Sequence, residues 1–262
     1  MASADLETGK TRQEGLPMFY KSVFPLSSAA HGRLIVQSGR NFSFAAKASA
    51  IPVLSEEFAI AQRHYPVVFS TDDTNMPIAL MGLQPNRNAF VDDVGKWQEG
   101  AYVPAYVRRY PFILVKKRAD SEDMALCIDA SARMVELGDE GNLFEGKEPS
   151  ELAKSMLKFC TDYERGTRAT TRLVQMLRKY DLLIDGEVKL KTMRGGMKVD
   201  GFRVVSEPRL RDLPADAAHE LNKCGAMAAI HAHLLSLATF PNLPRPNDPP
   251  SKLRLDEPMG HA

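Results

Sequence analysis

The sequence predicts an α+β fold, with antiparallel strands in the first half packed by helices mostly from the second half. Two observations carry this. In the first half, apolar residues come in short runs such as "PVVFS", "PIALMGL" and "YPFILVKK", bounded by Gly, Pro, Ser, Asn and Asp, which is the punctuation of strands and turns. From Ser150 onward, apolar residues recur at helical spacing over long stretches. Strands followed by helices, without βαβ alternation, argue against a doubly wound sheet.

Taken in order, residues 1–18 are polar and mixed in charge and predict a flexible N-terminal segment with no apolar core of a secretory signal. Residues 19–243 predict one domain, since no low-complexity linker divides them, and 244–262 a Pro-rich, solvated tail. Tyr20 to Pro52 reads as extended. In "LSEEFAIAQRHYP" Ser55 is a candidate N-cap, Glu56 and Glu57 suit the first helical turn, and Pro66 ends the helix. Phe58, Ala61 and Tyr65 share one of its faces. "PVVFS" and "PIALMGL" predict a hairpin around "TDDTNM", and "FVDDVGKW" a turn holding Asp92, Asp93 and Gly95. "YPFILVKK" pairs with "MALCIDAS". The long helical stretch starts with Ser150 as its cap and Glu151 in its first turn. It carries Leu152, Met156, Phe159, Tyr163, Leu173 and Leu177, and Gly166 is a candidate break. "GFRVVSEPRLRDL" predicts a short strand, and the stretch opened by Pro214 and running to Phe240 a last single helix.

Composition excludes several classes. Among 262 residues, 34 Lys and Arg balance 33 Asp and Glu, so no basic excess points to nucleic acid or an acidic membrane. The most apolar window, "CGAMAAIHAHLLSLATF", contains two histidines and falls short of the roughly 20 residues a span needs. Cys127, Cys160 and Cys224 are far apart, each in an apolar stretch, and read as small buried hydrophobes of a reducing compartment. The expectation is a cytoplasmic protein. No P-loop, zinc-protease, nucleophile-elbow or dinucleotide-binding motif is present. "MRGGMK", flanked by Arg194 and Lys198, reads as a hairpin turn before it reads as a phosphate cradle. His231 and His233 lie two apart on a helix and diverge, which suits structural roles and not a shared metal. No metal and no cofactor are expected. Asp92, Asp93 and Asp129 suit turn and capping roles before general acid–base work.

The strongest site candidate is the aromatic and arginine cluster of Trp97, Tyr102, Tyr106, Arg108, Arg109 and Tyr110. Rigid aromatic area and bidentate guanidinium groups are enriched where proteins bind partners. The same residues also suit a structural corner in which one Arg pairs with an internal carboxylate such as Asp129. Adjacent arginines diverge in a strand or a helix, so one points inward; Arg109, beside Tyr110 and Pro111, is the expected one.

The stretches "HYPVVFS", "PIALMGLQPNRNAFVDDVGKW", "YVPAYVRRYPF", "CIDASARMV", "LFEGKEPSE", "GFRVVSEPRLRDL" and "HAHLLSL" occur in an order that resembles the SapC family of bacterial proteins, over roughly Phe19 to Leu243. The peptide-transporter permease of the same name is a different protein: no run of 18 or more apolar residues occurs here. The resemblance implies an accessory role in surface-layer biogenesis, export or nutrient uptake, and brings no catalytic residues with it. Its implied partners are a protein or peptide, among them surface-layer or TonB-dependent uptake components. Family members tend to be encoded beside TonB-dependent receptors, cupin-like proteins and halogenase-like flavoproteins. Two readings stand at this point: a non-catalytic binder, and an enzyme acting on a peptide or small metabolite around Arg109, Asp92 and Asp129, or with His233.

Overall fold

The computed structural model describes residues 15–37, 41–118, 123–139, 141–192 and 195–243. The expected N-terminal segment and Pro-rich tail lie mostly or wholly outside the described residues. The strands are β1 (Val23–Pro25), β2 (Leu34–Val36), β3 (Ala50–Pro52), β4 (Val67–Phe69), β5 (Pro77–Leu80), β6 (Phe112–Lys116), β7 (Met124–Asp129), β8 (Val135–Leu137), β9 (Phe144–Glu145), β10 (Glu148–Pro149), β11 (Leu183–Thr192) and β12 (Gly195–Val205). The α-helices are α1 (Ser28–His31), α2 (Phe58–Ala61), α3 (Ala105–Arg108), α4 (Glu151–Lys179), α5 (Glu207–Arg211), α6 (Ala215–Lys223) and α7 (Ala226–Ser236). Every strand pairing is antiparallel, and the fold is α+β as predicted. The described residues form two compact units, one within 1–40 and 108–164, the other within 41–107 and 165–262.

The first unit is built on the sheet β1-β7-β6. The predicted pairing of "YPFILVKK" with "MALCIDAS" is present, with Phe112 opposite Ile128 and Ile113 opposite Cys127. Alternation along these strands sends successive side chains to opposite faces. Phe112, Leu114 and Ile128 join Leu34, Val36, Leu143 and Cys160 on one side, where Leu152 and Met156 of α4 pack. Ile113 and Cys127 join Tyr20 and Val23 on the other. Ser150 caps α4 as expected: its Oγ accepts the N–H of Ala153 at 3.3 Å and donates to the carbonyl of Asn142 at 2.7 Å.

The second unit holds the sheet β11-β12-β4-β5-β3. The predicted hairpin is β4–β5, with Val67 opposite Ala79. Four finer expectations are corrected. The strand expected near "GFRVV" is one arm of a long hairpin in which β11 and β12 pair from Leu183↔Val205 to Thr192↔Gly195. Its apolar arm face, Val188, Leu190, Met197 and Val199, packs with Phe202 and Phe240. Of "MRGGMK", Gly195 to Lys198 lie in β12, and Met193 and Arg194 lie outside the described residues. Gly166 does not break α4, which runs 29 residues; a Cβ there would press on Leu54 Cδ1 and Glu56 Oε1, so glycine is kept for close approach. Ser55 is not an N-cap but opens a 3₁₀ turn, Ser55–Glu57, ahead of α2. The expected last helix is two, α6 and α7, whose directions differ by 90°. The break is at Gly225, in the left-handed region at φ 79, which only glycine adopts without steric cost.

Replacing Gly225 with Ala adds a Cβ to a left-handed residue, and about 1–2 kcal/mol of stability should be lost. Denaturant unfolding of Gly225→Ala measures it; an unchanged midpoint would mean the turn relaxes without cost.

Candidate functional site

The six residues of the aromatic–arginine stretch separate by unit. Trp97, Tyr102 and Tyr106 belong to the second, and Arg108, Arg109 and Tyr110 to the first. Trp97 is buried, packed edge-on against Phe42 at 5.5 Å and stacked near Phe90 at 6.3 Å. It sits across the turn "FVDDVGKW", paired with Val91, and Asp92 Oδ1 accepts the N–H groups of Val94 and Lys96. Asp92 thus builds the turn. Tyr106 is buried on α3. Tyr102 is half-buried, and its hydroxyl donates to Glu57 Oε1 at 2.8 Å.

The two arginines differ as expected. Arg108 is exposed and its guanidinium lies over the Phe159 ring at 5.1 Å. Arg109 is buried, its guanidinium 4.3 Å from the Tyr163 ring centroid and 5.6 Å from that of Tyr20. An ion pair joins it to Glu164, Nη1 to Oε1 at 3.9 Å; Asp129 was the example of an internal carboxylate named for this role. Asp129, fully buried, accepts instead from the backbone N–H groups of Lys21, Ser22 and Ser131 and from the Ser131 hydroxyl. A carboxylate so close to backbone donors holds the N-terminal stretch Lys21–Ser22 to β7. The Tyr110 hydroxyl completes the group, 3.4 Å from Asp129 Oδ2. Burial first, then the Asp129 charge, pushes the Tyr110 phenol well above its ordinary range.

Glu57 is the carboxylate that sequence reasoning missed. It was read only as suiting the first helical turn, and it is buried and accepts from Leu54 N–H at 2.8 Å and Ala105 N–H at 2.7 Å, besides Tyr102. The capping-box spacing, an acid three residues after the cap position, was the available clue.

His233 is fully buried. Its Nδ1 lies 2.7 Å from the Val67 carbonyl and its Nε2 accepts the Val205 N–H at 3.0 Å. Donation at Nδ1 and acceptance at Nε2 define one neutral tautomer. Burial lowers its pKa to about 4, a shift the Val67 carbonyl partly opposes. Ser236, one turn on, accepts the Val67 N–H at 2.9 Å. His231 faces solvent. Both histidines therefore serve no shared site, and among the described residues no three His, Cys, Asp or Glu side chains gather as a metal requires. Cys127 and Cys160 are buried, and burial pushes their thiols up to about 11 and about 12. Cys224 was expected buried and is exposed, because the chain turns there between α6 and α7.

Cys224 edges a cavity of about 580 Å³ in the second unit, within the size range of ligand sites. Its walls come from α2 with the turn before it, the second part of α4 and the start of α7. Phe58, Leu173, Met176 and Ala229 make it apolar, and Glu56 and Arg172 are its charged residues. No part of the aromatic–arginine stretch lines it. The residues that line it are spread over three segments, each ordinary by itself, so no local pattern announces the site.

The class so defined is an α+β protein of two compact units with an apolar cavity, in which buried Glu57, Asp129 and His233 are bonded to backbone. The SapC family model matches residues 26–243, and the chain belongs to the SapC family. No curated protein and no solved structure matches it. Among the described residues no single helix is long and apolar enough to cross a membrane.

Arg109→Ala removes a buried cation from between two rings and should cost about 2 kcal/mol. Arg108→Ala should fall within about 0.5 kcal/mol of the parent. Thermal melts of the two variants decide it, and equal shifts would contradict the burial difference. The His233 pKa is lower in the folded protein, so the unfolded chain binds more protons. Its contribution is present above about pH 6.5 and is lost between there and about pH 4. The stability difference between the parent and a His233→Gln variant should narrow by on the order of 3 kcal/mol across that window. Urea unfolding at several pH values measures it; a constant difference would refute the neutral buried imidazole.

Proposed function

We propose that this protein is a non-catalytic binding protein, an accessory that engages a peptide or protein client in surface-layer biogenesis, export or TonB-dependent uptake, and that it works in the cytoplasm. The observation that carries the reading is the open cavity of the second unit, apolar apart from a few polar side chains at its rim. An apolar concave surface with few polar groups is the usual form of a binding site. The groups that could do acid–base chemistry are engaged elsewhere: Glu57, Asp129 and His233 bond backbone amides and carbonyls, and Asp92 closes a turn. Membership of the SapC family supports a role around surface-layer or uptake proteins. Arg108, exposed beside Phe159, supports a contact for a partner in the first unit.

Affinity capture with the full chain from its native host, followed by reconstitution with the captured client, tests this. The client should bind and keep its intact mass over prolonged incubation. A mass change that accumulates with catalytic amounts of the protein would overturn the reading in favour of an enzyme.

A further inference from the structure

We infer that the cavity of the second unit takes an acidic, amphipathic peptide segment, its apolar side chains against α7 and α2 and its carboxylates toward α4. This rests on the binding reading above and names the chemistry of what is bound.

The charge of α4 is the first observation. From Arg165 to Lys179 the helix carries Arg165, Arg168, Arg172, Arg178 and Lys179 and no carboxylate. The last two are engaged: Arg178 donates to Asn75 Oδ1 and the Asp73 carbonyl, and Lys179 pairs with Glu220 at 2.8 Å. Arg168 and Arg172 are exposed, have no hydrogen bond or ion pair among the described residues, and are four apart, hence neighbours on one face. Two like charges held side by side destabilise a helix slightly, and an anionic partner removes that cost. Arg172 is also a wall residue of the cavity.

The shape is the second. The wall from α7 is made of Ala226, Ala228, Ala229 and Ala232, and that from α2 of Phe58 and Ala59. Small side chains leave room for large ones from a partner, and the volume of about 580 Å³ holds several of them. The two helices that form those walls also carry exposed apolar side chains, Ile60 at 43% and Leu235 at 65%. An apolar face beside a row of free guanidinium groups is complementary to a segment apolar on one side and acidic on the other, laid in a groove between helices. Glu56 is the single carboxylate on the rim, and it stands over Gly166, away from Arg172 by more than a turn of α4. It disfavours a ligand that is anionic along its whole length and fixes the direction of one that is acidic at one end.

Fluorescence anisotropy with the full chain tests this. The probes are a fluorescein-labelled leucine–glutamate peptide with leucines at helical spacing, and its leucine–lysine counterpart. Free decanoate serves as a competitor. The leucine–glutamate peptide should bind about tenfold tighter than the lysine peptide, and raised salt should narrow the gap. Arg172→Glu lies on an exposed face and leaves the fold intact; it should weaken binding of the acidic peptide roughly fivefold. Ala229→Trp fills the cavity and should abolish binding, with circular dichroism confirming the fold. Equal binding of both peptides, or no effect of Arg172→Glu, overturns the inference. So does decanoate displacing the peptide at concentrations where the peptide itself binds, which would assign the cavity to a small acyl ligand. If Ala229→Trp still holds the client captured by the parent chain, the binding reading survives and the groove assignment falls. If the acidic peptide binds but the captured client is chemically altered, the reverse holds.

Discussion

One imidazole closes the larger sheet. Strands β12 and β4 meet only at Arg203 opposite Phe69 among the described residues, whereas β11–β12 and β4–β5 pair along their lengths. At Val67 and Val205 the two strands would present a buried carbonyl and a buried N–H with no ladder partner. Such groups cost free energy comparable to a lost hydrogen bond each. His233 bridges them, taking the Val205 N–H and facing the Val67 carbonyl. The helix that carries it, α7, is thereby fixed against the sheet. The position of α7 in turn makes one wall of the cavity. The charge state follows from the geometry: only the neutral ring can donate at one nitrogen and accept at the other.

The same solution recurs at two carboxylates. Asp129 satisfies the amides of Lys21 and Ser22, and Glu57 those of Leu54 and Ala105. The donors at Glu57 are buried and those at Asp129 partly so, and in both cases a buried carboxylate accepting several of them turns an expensive burial into a rigid joint. These residues look reactive when read as a list of titratable side chains. Within the fold, their lone pairs are already in use. On the second part of α4, by contrast, Arg168 and Arg172 are exposed, and Arg172 also lines the cavity.

Much of the fold was legible in the sequence and rather less of the site. Strand pairs announced by apolar runs around turn residues, β4–β5 and β6–β7, formed as read. Ser150 capped its helix, and the SapC motifs pointed to the right family. A hairpin turn was read at "MRGGMK" and a short strand at "GFRVV", but the length of β11–β12 was not, because many of its outward residues are Lys, Asp and Glu, whose exposed ion pairs, such as Lys198 with Glu187 and Asp200, dilute an alternation that was present. The two glycines at issue were misjudged in opposite senses. Gly166 serves close approach within a continuous helix, and Gly225 a left-handed turn. Both are consequences of packing that a one-dimensional pattern does not contain.

The aromatic–arginine stretch shows why composition alone is a weak guide to a surface. Trp, Tyr and Arg are enriched at interfaces because they offer large area with a polar tip, and the same property suits them to buried corners. What separates the two uses is exposure. Trp97, Tyr106 and Arg109 are each close to 5% exposed, and Arg108 is the exposed cation of that stretch. A guanidinium between the Tyr20 and Tyr163 rings is held by cation–π contact as much as by its distant ion pair, so that cluster's chemistry is directed inward. Arg172 has the same side chain in the opposite circumstance: it is exposed, its neighbour Arg168 carries the same charge, and an apolar hollow lies beside it. Recognition needs a charge whose partner is still to come.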